Sequence, residues 1–388
     1  MTQYTSPSSA IVIIGSGLAG YTVIREIRKL DKTAPITLIT REPGYFYSKP
    51  MLSTALAAKK EAAQLISTPA EGMATQLDIT ILSETVVSAI NTNTQTLQTS
   101  KGEVSYGKLV MALGADQIRL PLAGNATGEV LTVNDLEDYT CFRNAIVDKK
   151  NIAILGAGLI GCEFANDLVL GGYEVDVIDL AAQPLGRLLP EPAAKELQAK
   201  LNDAGVRWHF STTVQSVDRS GNALQITLAN GDCITSDVVL SAVGLKPRLD
   251  LAKAAGIHTG LGIQVNRALE TSASNVYSLG DCAEVDGLVL PYVMPIMQAA
   301  RALAPTLIGQ RTALNYPAMP VMVKTPALPT VVSPPAKGMV GEWKTTLVEG
   351  GIEARFESAD GKLLGFALMG AATAQRAALT KDLPPILS

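Results

Sequence analysis

Histidine is almost missing from this sequence: His209 and His258 are the only two. Hydrolytic triads and histidine-rich metal sites therefore have little to be built from. Cysteine is nearly as sparse. Cys141, Cys162, Cys233 and Cys282 lie far apart, with no CxxC or CxxxxC spacing. That removes a redox disulfide between neighbours and argues against a zinc site, so no resident metal is expected. No run approaches the roughly 18 continuous apolar residues of a membrane span. Positive charge is not in excess either. The 32 Lys and Arg stand against 36 Asp and Glu, a net charge of −4, whereas a nucleic-acid binder needs a basic face. Residues 1–9 hold no Lys or Arg, and the apolar run after them is cut by Gly15 and Gly17. The start therefore does not read as a signal peptide. The expectation is a cytoplasmic protein without membrane insertion and without a nucleic-acid partner.

What is present is apolar and orderly. The 388 residues are 47% hydrophobic and 18% charged, enough for a large core and for two or three domains. A strand–turn–helix–strand unit occurs twice. The first runs from IVIIGSGLAG (11–20) through YTVIREIRKL to ITLIT at 36–40; the second runs from NIAILGAGLIGCE (151–163) to YEVDVID at 173–179. The unbroken apolar runs are those of buried parallel strands. Closing strands follow at 108–115 and 237–247, then NVYSLGDCAEV at 275–285. The second unit is thus inserted into the first. The fold class predicted is α/β, with two nested dinucleotide-binding (Rossmann-like) domains plus a small α+β C-terminal domain. The boundaries expected are 1–118 with 248–315, 119–247, and an antiparallel-sheet domain at 316–388, where prolines and short strands take over.

Gly15, Gly17 and Gly20 form GxGxxG between a strand and a helix. The first glycine permits the tight turn, the second lets backbone N–H groups approach a pyrophosphate, and the third lets helix and strand pack closely. The helix N-terminus then faces the phosphate charge. Glu42 follows the next strand, about where a carboxylate accepts from a ribose. Gly156, Gly158 and Gly161 repeat the pattern, with Asp179 ending the second strand. An acid there favours the free 2′-hydroxyl of NADH over the 2′-phosphate of NADPH. Two such units mean two dinucleotides, and the economical pair is a flavin with a nicotinamide, between which hydride passes directly.

These residues resemble the FAD-dependent pyridine nucleotide oxidoreductase family, flavoproteins with two dinucleotide-binding domains and a glutathione-reductase-like fold. The likeness spans nearly the whole chain through both fingerprints, LVMALGA, SAVGLKPR and VYSLGDCAEV. It implies FAD in the outer unit, on Gly15, Ser16, Gly17, Leu18, Ala19, Gly20, Arg41, Glu42, Lys49 and Asp281. Val87 matches a position whose backbone contacts the adenine, and Val293 one near the pyrimidine end of the flavin. NADH is implied in the inserted unit, on Gly156, Gly158, Gly161, Glu163, Asp179 and Gly244. Leu113 departs from the pattern, standing where a Thr is usual. After Glu42 the chain reads EPGYFYSKPMLS without a cysteine, so it resembles the electron-transferring branch and not the disulfide reductases. Within that branch, YSKPMLS, LIGCEFANDL and VMVKTPALPTVVSPP look most like the rubredoxin reductases of alkane-oxidising bacteria.

The resemblance implies that NADH reduces the flavin and that electrons leave singly for the iron of rubredoxin, in support of alkane hydroxylation. Flavorubredoxin, ferredoxin or oxygen are alternative acceptors. A non-catalytic FAD- and NAD-binding redox sensor is the alternative of another class. Lys49 and Glu163 are the catalytic candidates: Lys49 to stabilise negative charge on reduced flavin, Glu163 near the nicotinamide and paired with Lys49. The plainer readings are a solvated loop lysine and a carboxylate favouring a helix N-terminus. Lys324 reads equally as a flavin neighbour or as a strand-edge lysine that discourages aggregation. The side chain of Val293 reads as core, and Cys282 as a buried structural thiol. Lys49, Lys324 and Arg301 are the cations that could steer an acidic rubredoxin.

Overall fold

The computed structural model describes residues 10–388; the reading of residues 1–9 as no signal peptide lies outside the described residues. The apolar runs form two five-stranded sheets of the same design. The first is ordered Val276–Ser278, Lys108–Met111, Ile11–Ile14, Ile36–Ile39, Thr80–Leu82, parallel throughout. The second is ordered Val130–Thr132, Val238–Ser241, Asn151–Leu155, Glu174–Asp179, Val206–Phe210, again parallel. In each, the strand entering a glycine loop is central, and the loop leaves its C-terminal end. In open parallel sheets that edge carries the ligand crevice.

The helix Leu18–Leu30 shows why these segments fold locally. Tyr21, Ile24 and Ile27 fall on one face and pack with Ala299, Ala300 and Leu303 of the helix Val293–Leu307. The helix stops at Asp31, whose backbone is extended. Its carboxylate accepts from the Thr33 and Ala34 N–H groups at 2.7 and 2.9 Å, a local turn that competes with further helix. The helix Leu159–Leu170 is different. Every residue from Gly161 to Leu168 is buried, including Glu163, Asn166 and Asp167. A helix buried all round has neighbours on every side, and its polar groups need partners there.

The two units are joined by a short ribbon. Ala115–Gln117 pairs antiparallel with Leu245–Pro247, and Arg248 clamps it by an ion pair to Asp116 at 2.6 Å. The C-terminal sheet is antiparallel, ordered Val321–Val323, Thr330–Ser333, Leu363–Gly370, Gly351–Glu357, Glu342–Val348, and the helix Arg376–Asp382 follows it. Its inner residues Val323, Val332 and Met369 share one apolar cluster with Leu52 and Ala55 of the first unit and Cys162 and Leu168 of the second. No helix of the described residues is long and apolar enough to cross a membrane.

The third glycine of each loop sits where no side chain fits. A Cβ on Gly20 would lie 1.9 Å from the Gly15 carbonyl oxygen, and one on Gly161 equally 1.9 Å from that of Gly156. Gly161→Ala must therefore push helix from strand and is expected to lower stability by about 1–3 kcal/mol in urea denaturation. Gly158→Ala, whose Cβ meets nothing within 4 Å, should lose clearly less; equal losses would contradict this packing account.

Candidate active site

The first glycine loop lies open at the sheet edge. Gly15 has φ +114, and a Cβ there would strike the Ala112 carbonyl oxygen at 2.2 Å. Gly17 caps the helix without any side-chain hydrogen bond and has nothing within 4 Å of an added Cβ. The backbone thus presents unshared N–H groups of a helix N-terminus to an open cradle, the arrangement that suits a phosphate. Leu18, Ala19 and Gly20 form the first turn. The loop is braced from behind by Ser16, whose hydroxyl bonds that of Thr40 at 2.9 Å.

Around this cradle the structure gathers residues distant in sequence. Gly280, with φ +83, brings its segment against the first turn, where a Cβ would lie 2.9 Å from that of Ala19. Asp281 follows, and its Oδ1 is buried with no hydrogen-bond partner. Burial pushes the Asp281 carboxyl above its usual range, opposed by the charges of Lys49 and Arg248. A buried carboxylate oxygen left unpaired is costly, and a polyhydroxylated chain in the cradle would supply the missing donor. The Glu42 carboxyl is likewise raised, by burial first and then by Asp135. An unshared phosphate-type cradle, an orphaned acceptor and a second carboxylate together fit FAD. Arg41 is exposed beside them. Val87 begins the strand Val87–Asn91, in a segment tied to this edge by the Thr85 N–H donating to the Thr40 carbonyl at 2.8 Å.

Val293 departs from expectation. It opens the helix Val293–Leu307 and is 41% exposed, so it is no core valine. The second cradle copies the first. Gly156 has φ +104, its added Cβ meets the Ala242 carbonyl oxygen at 2.7 Å, and Gly158 is open. Here Asp179 is the brace: its carboxylate accepts from the Ala157 N–H at 2.5 Å and the Ala181 N–H at 2.7 Å. Gly244, with φ +125, lies exposed between the closing strand and the ribbon, its carbonyl accepting from the Ile118 N–H.

The partner expected for Lys49 goes to Lys324 instead. Glu163 does not pair with Lys49. Its Oε2 binds the Lys324 ammonium and the Ser53 hydroxyl, the latter at 2.6 Å, while Oε1 accepts from the Lys324 backbone N–H at 2.9 Å. The reason is reach: Lys324 leaves the end of the strand Val321–Val323 directly over the buried helix Leu159–Leu170, so the strand-edge reading of Lys324 falls. Lys49 turns elsewhere and donates to Asn134 Oδ1 at 2.6 Å. It is half-buried, not a solvated loop lysine. Loss of solvent lowers its pKa, while Asp281, Asp135 and Glu42 act to raise it. Neither lysine is free to steer a partner; Arg301 is exposed. Cys282 is fully buried with its thiol raised by burial, as a structural thiol should be. Among the described residues no three His, Cys, Asp or Glu gather as a metal site.

Sequence reasoning passed over Ser53, Asn134 and Arg248. Ser53 and Arg248 stand inside segments that carried the resemblance, YSKPMLS and SAVGLKPR, but nothing local marked them. Asn134 carried no signal at all.

Two family models match the chain. The family model "Pyridine nucleotide-disulphide oxidoreductase" matches residues 9–304, and "Rubredoxin binding C-terminal domain" matches residues 313–383. The rubredoxin-NAD(+) reductase of Alcanivorax borkumensis is 47% identical over 97% of this chain and 99% of its own length. That of Acinetobacter baylyi is 48% identical over 97% and 98%. A ferredoxin reductase of Rhodopseudomonas palustris superposes with TM-score 0.87 at 26% identity, covering 98% of this chain and 96% of that one.

Two outcomes follow from this geometry. Lys324→Met leaves the fully buried Glu163 carboxylate without its cation and is expected to cost about 3 kcal/mol in denaturant unfolding; adding Glu163→Gln should restore most of it, and no recovery would refute the pairing. Asp281→Asn should stabilise the flavin-free protein at pH 7. The folded-state pKa of Asp281 lies above the ordinary 3.8, so its ionised form disfavours folding. That penalty is absent below the ordinary value and fully present once pH passes the folded one. The melting-temperature gain should therefore fade as pH falls towards 3.8; a pH-independent gain would exclude the charge as its cause.

Proposed function

The chain belongs to the pyridine nucleotide-disulphide oxidoreductase family, and from that premise we propose that it oxidises NADH and passes the electrons singly to rubredoxin through FAD. The observation that carries this reading is the placement of the C-terminal sheet. The segment matching a rubredoxin-binding domain reaches back through Lys324 to the helix that opens the second dinucleotide cradle. Acceptor and donor sides of such a reaction meet at one ion pair. FAD, when bound, supplies a centre that accepts two electrons together and releases them one at a time.

The protein's own residues bind, orient and set charge. Gly15, Ser16, Gly17, Leu18, Ala19 and Gly20 would hold the flavin pyrophosphate with backbone N–H groups, Glu42 and Arg41 would border the adenosine ribose, and Val87 the adenine. Asp281 would accept from the ribityl hydroxyls, which answers its orphaned oxygen. Lys49 would sit beside the isoalloxazine and stabilise negative charge there. The helix N-terminus at Val293 would act at the pyrimidine end in the same sense. Gly156, Gly158, Gly161, Asp179 and Gly244 would hold NADH. Glu163 and Lys324 would fix the floor on which nicotinamide and flavin stack; no proton-transferring residue is required. The relatives' names favour rubredoxin over a ferredoxin as acceptor. Alkane hydroxylation in the cytoplasm is the setting that the resemblance implies.

Purified protein should be yellow, bleach with NADH, and reduce cytochrome c rapidly only when rubredoxin is added; a ferredoxin serving equally well would overturn the choice of acceptor. Lys49→Met should slow flavin reduction in stopped flow by about tenfold or more, the scale of losing one charge-assisted contact. An unchanged rate would remove Lys49 from the site.

A further inference from the structure

Asn134 belongs to neither fingerprint, yet it is 8% exposed and both ends of its side-chain amide are engaged. Its Nδ2 donates to the Ala115 carbonyl at 2.8 Å. A carbonyl cannot donate, so the amide has one orientation, and Oδ1 must face the other way. There it accepts from Lys49 Nζ at 2.6 Å. Its own backbone N–H donates to Asp138 at 2.8 Å, which holds the corner before the helix Leu136–Ala145. Ala115 begins the ribbon that joins the two units. A lysine of the first unit is therefore held by a residue of the second, which is itself held by their linker.

Resting on the reading of Lys49 beside the flavin, we propose that Asn134 is a positioning residue: its amide oxygen sets the direction of the Lys49 ammonium and so the charge presented to the flavin. One of three N–H bonds is committed to Asn134, which leaves the others to a fixed arc. The amide dipole also favours the charged form of a lysine that has lost much of its solvent. The other charged groups facing Lys49 are Glu42 after the strand Ile36–Ile39, Asp135 capping the helix Leu136–Ala145, Arg248 at the ribbon, and Asp281. Of these only Arg248 opposes the charge.

The midpoint potential of the bound flavin, measured against pH by spectroelectrochemistry, breaks where a neighbouring charge titrates. Asn134→Leu keeps volume but removes the acceptor. The break assigned to Lys49 should move down by about one pH unit, the scale of a hydrogen bond to a charged group. Asn134→Asp keeps the shape and adds an anion, and should move it up; that variant decides the matter should the leucine disturb folding. Lys49→Met should abolish the break. A break in either Asn134 variant that coincides with the wild type overturns the positioning role. A profile that Lys49→Met leaves unchanged overturns instead the reading of Lys49 on which this rests.

Discussion

The helix Leu159–Leu170 buries a carboxylate with no access to water, and a buried charge persists only where it is paired and fully hydrogen-bonded. Glu163 meets that demand with three groups from the other two parts of the molecule: the Ser53 hydroxyl of the first unit, and the backbone N–H and ammonium of Lys324 from the C-terminal part. The neighbouring polar residues bridge to the same two parts, although Asn166 Nδ2 is left without a partner. Asn166 accepts from the Ala327 N–H, and Asp167 from the Leu56 and Ala57 N–H groups. Apolar packing around Leu52, Leu168 and Val323 supplies bulk attraction, which is non-directional. The polar contacts supply register. Three parts that could slide on a greasy surface are pinned to one another by these contacts.

How much of this could be read beforehand follows from how local each signal is. The two cradles, the nested order and the antiparallel tail were legible because each rests on a short run: an unalternating strand, glycines at i, i+2 and i+5, a change to proline-rich strands. Asp281 was legible through the resemblance, and its orphaned oxygen gives that reading a physical content. Partner choice was not legible. Lys49 and Lys324 are 275 positions apart, and which of them reaches Glu163 depends on where the tail sits over a helix of the inserted unit. Asn134 and Arg248 act only because the linker strands pair, which no local pattern encodes. The core reading of the Val293 side chain failed for a simpler reason: an apolar residue that opens a helix can remain exposed.

That Lys324 and not Lys49 holds Glu163 changes what the two lysines do. Both were available, from sequence, as surface cations that draw in an acidic protein. Inside the structure one neutralises a buried carboxylate and the other is held by an amide among Glu42, Asp135 and Asp281. Charges so placed act over a few ångströms on whatever fills the cradle and are poor long-range attractors, since their fields close on their own partners. On the proposed reading they would tune the electron's energy at the site and leave the encounter with the acceptor to the surface of the C-terminal sheet and to exposed cations such as Arg301. With no cysteine in the segment after Glu42 to take the electrons as a pair, that separation of tasks is what a one-electron exit requires: a donor level set from within, and a docking face free to be weak and quickly reversible.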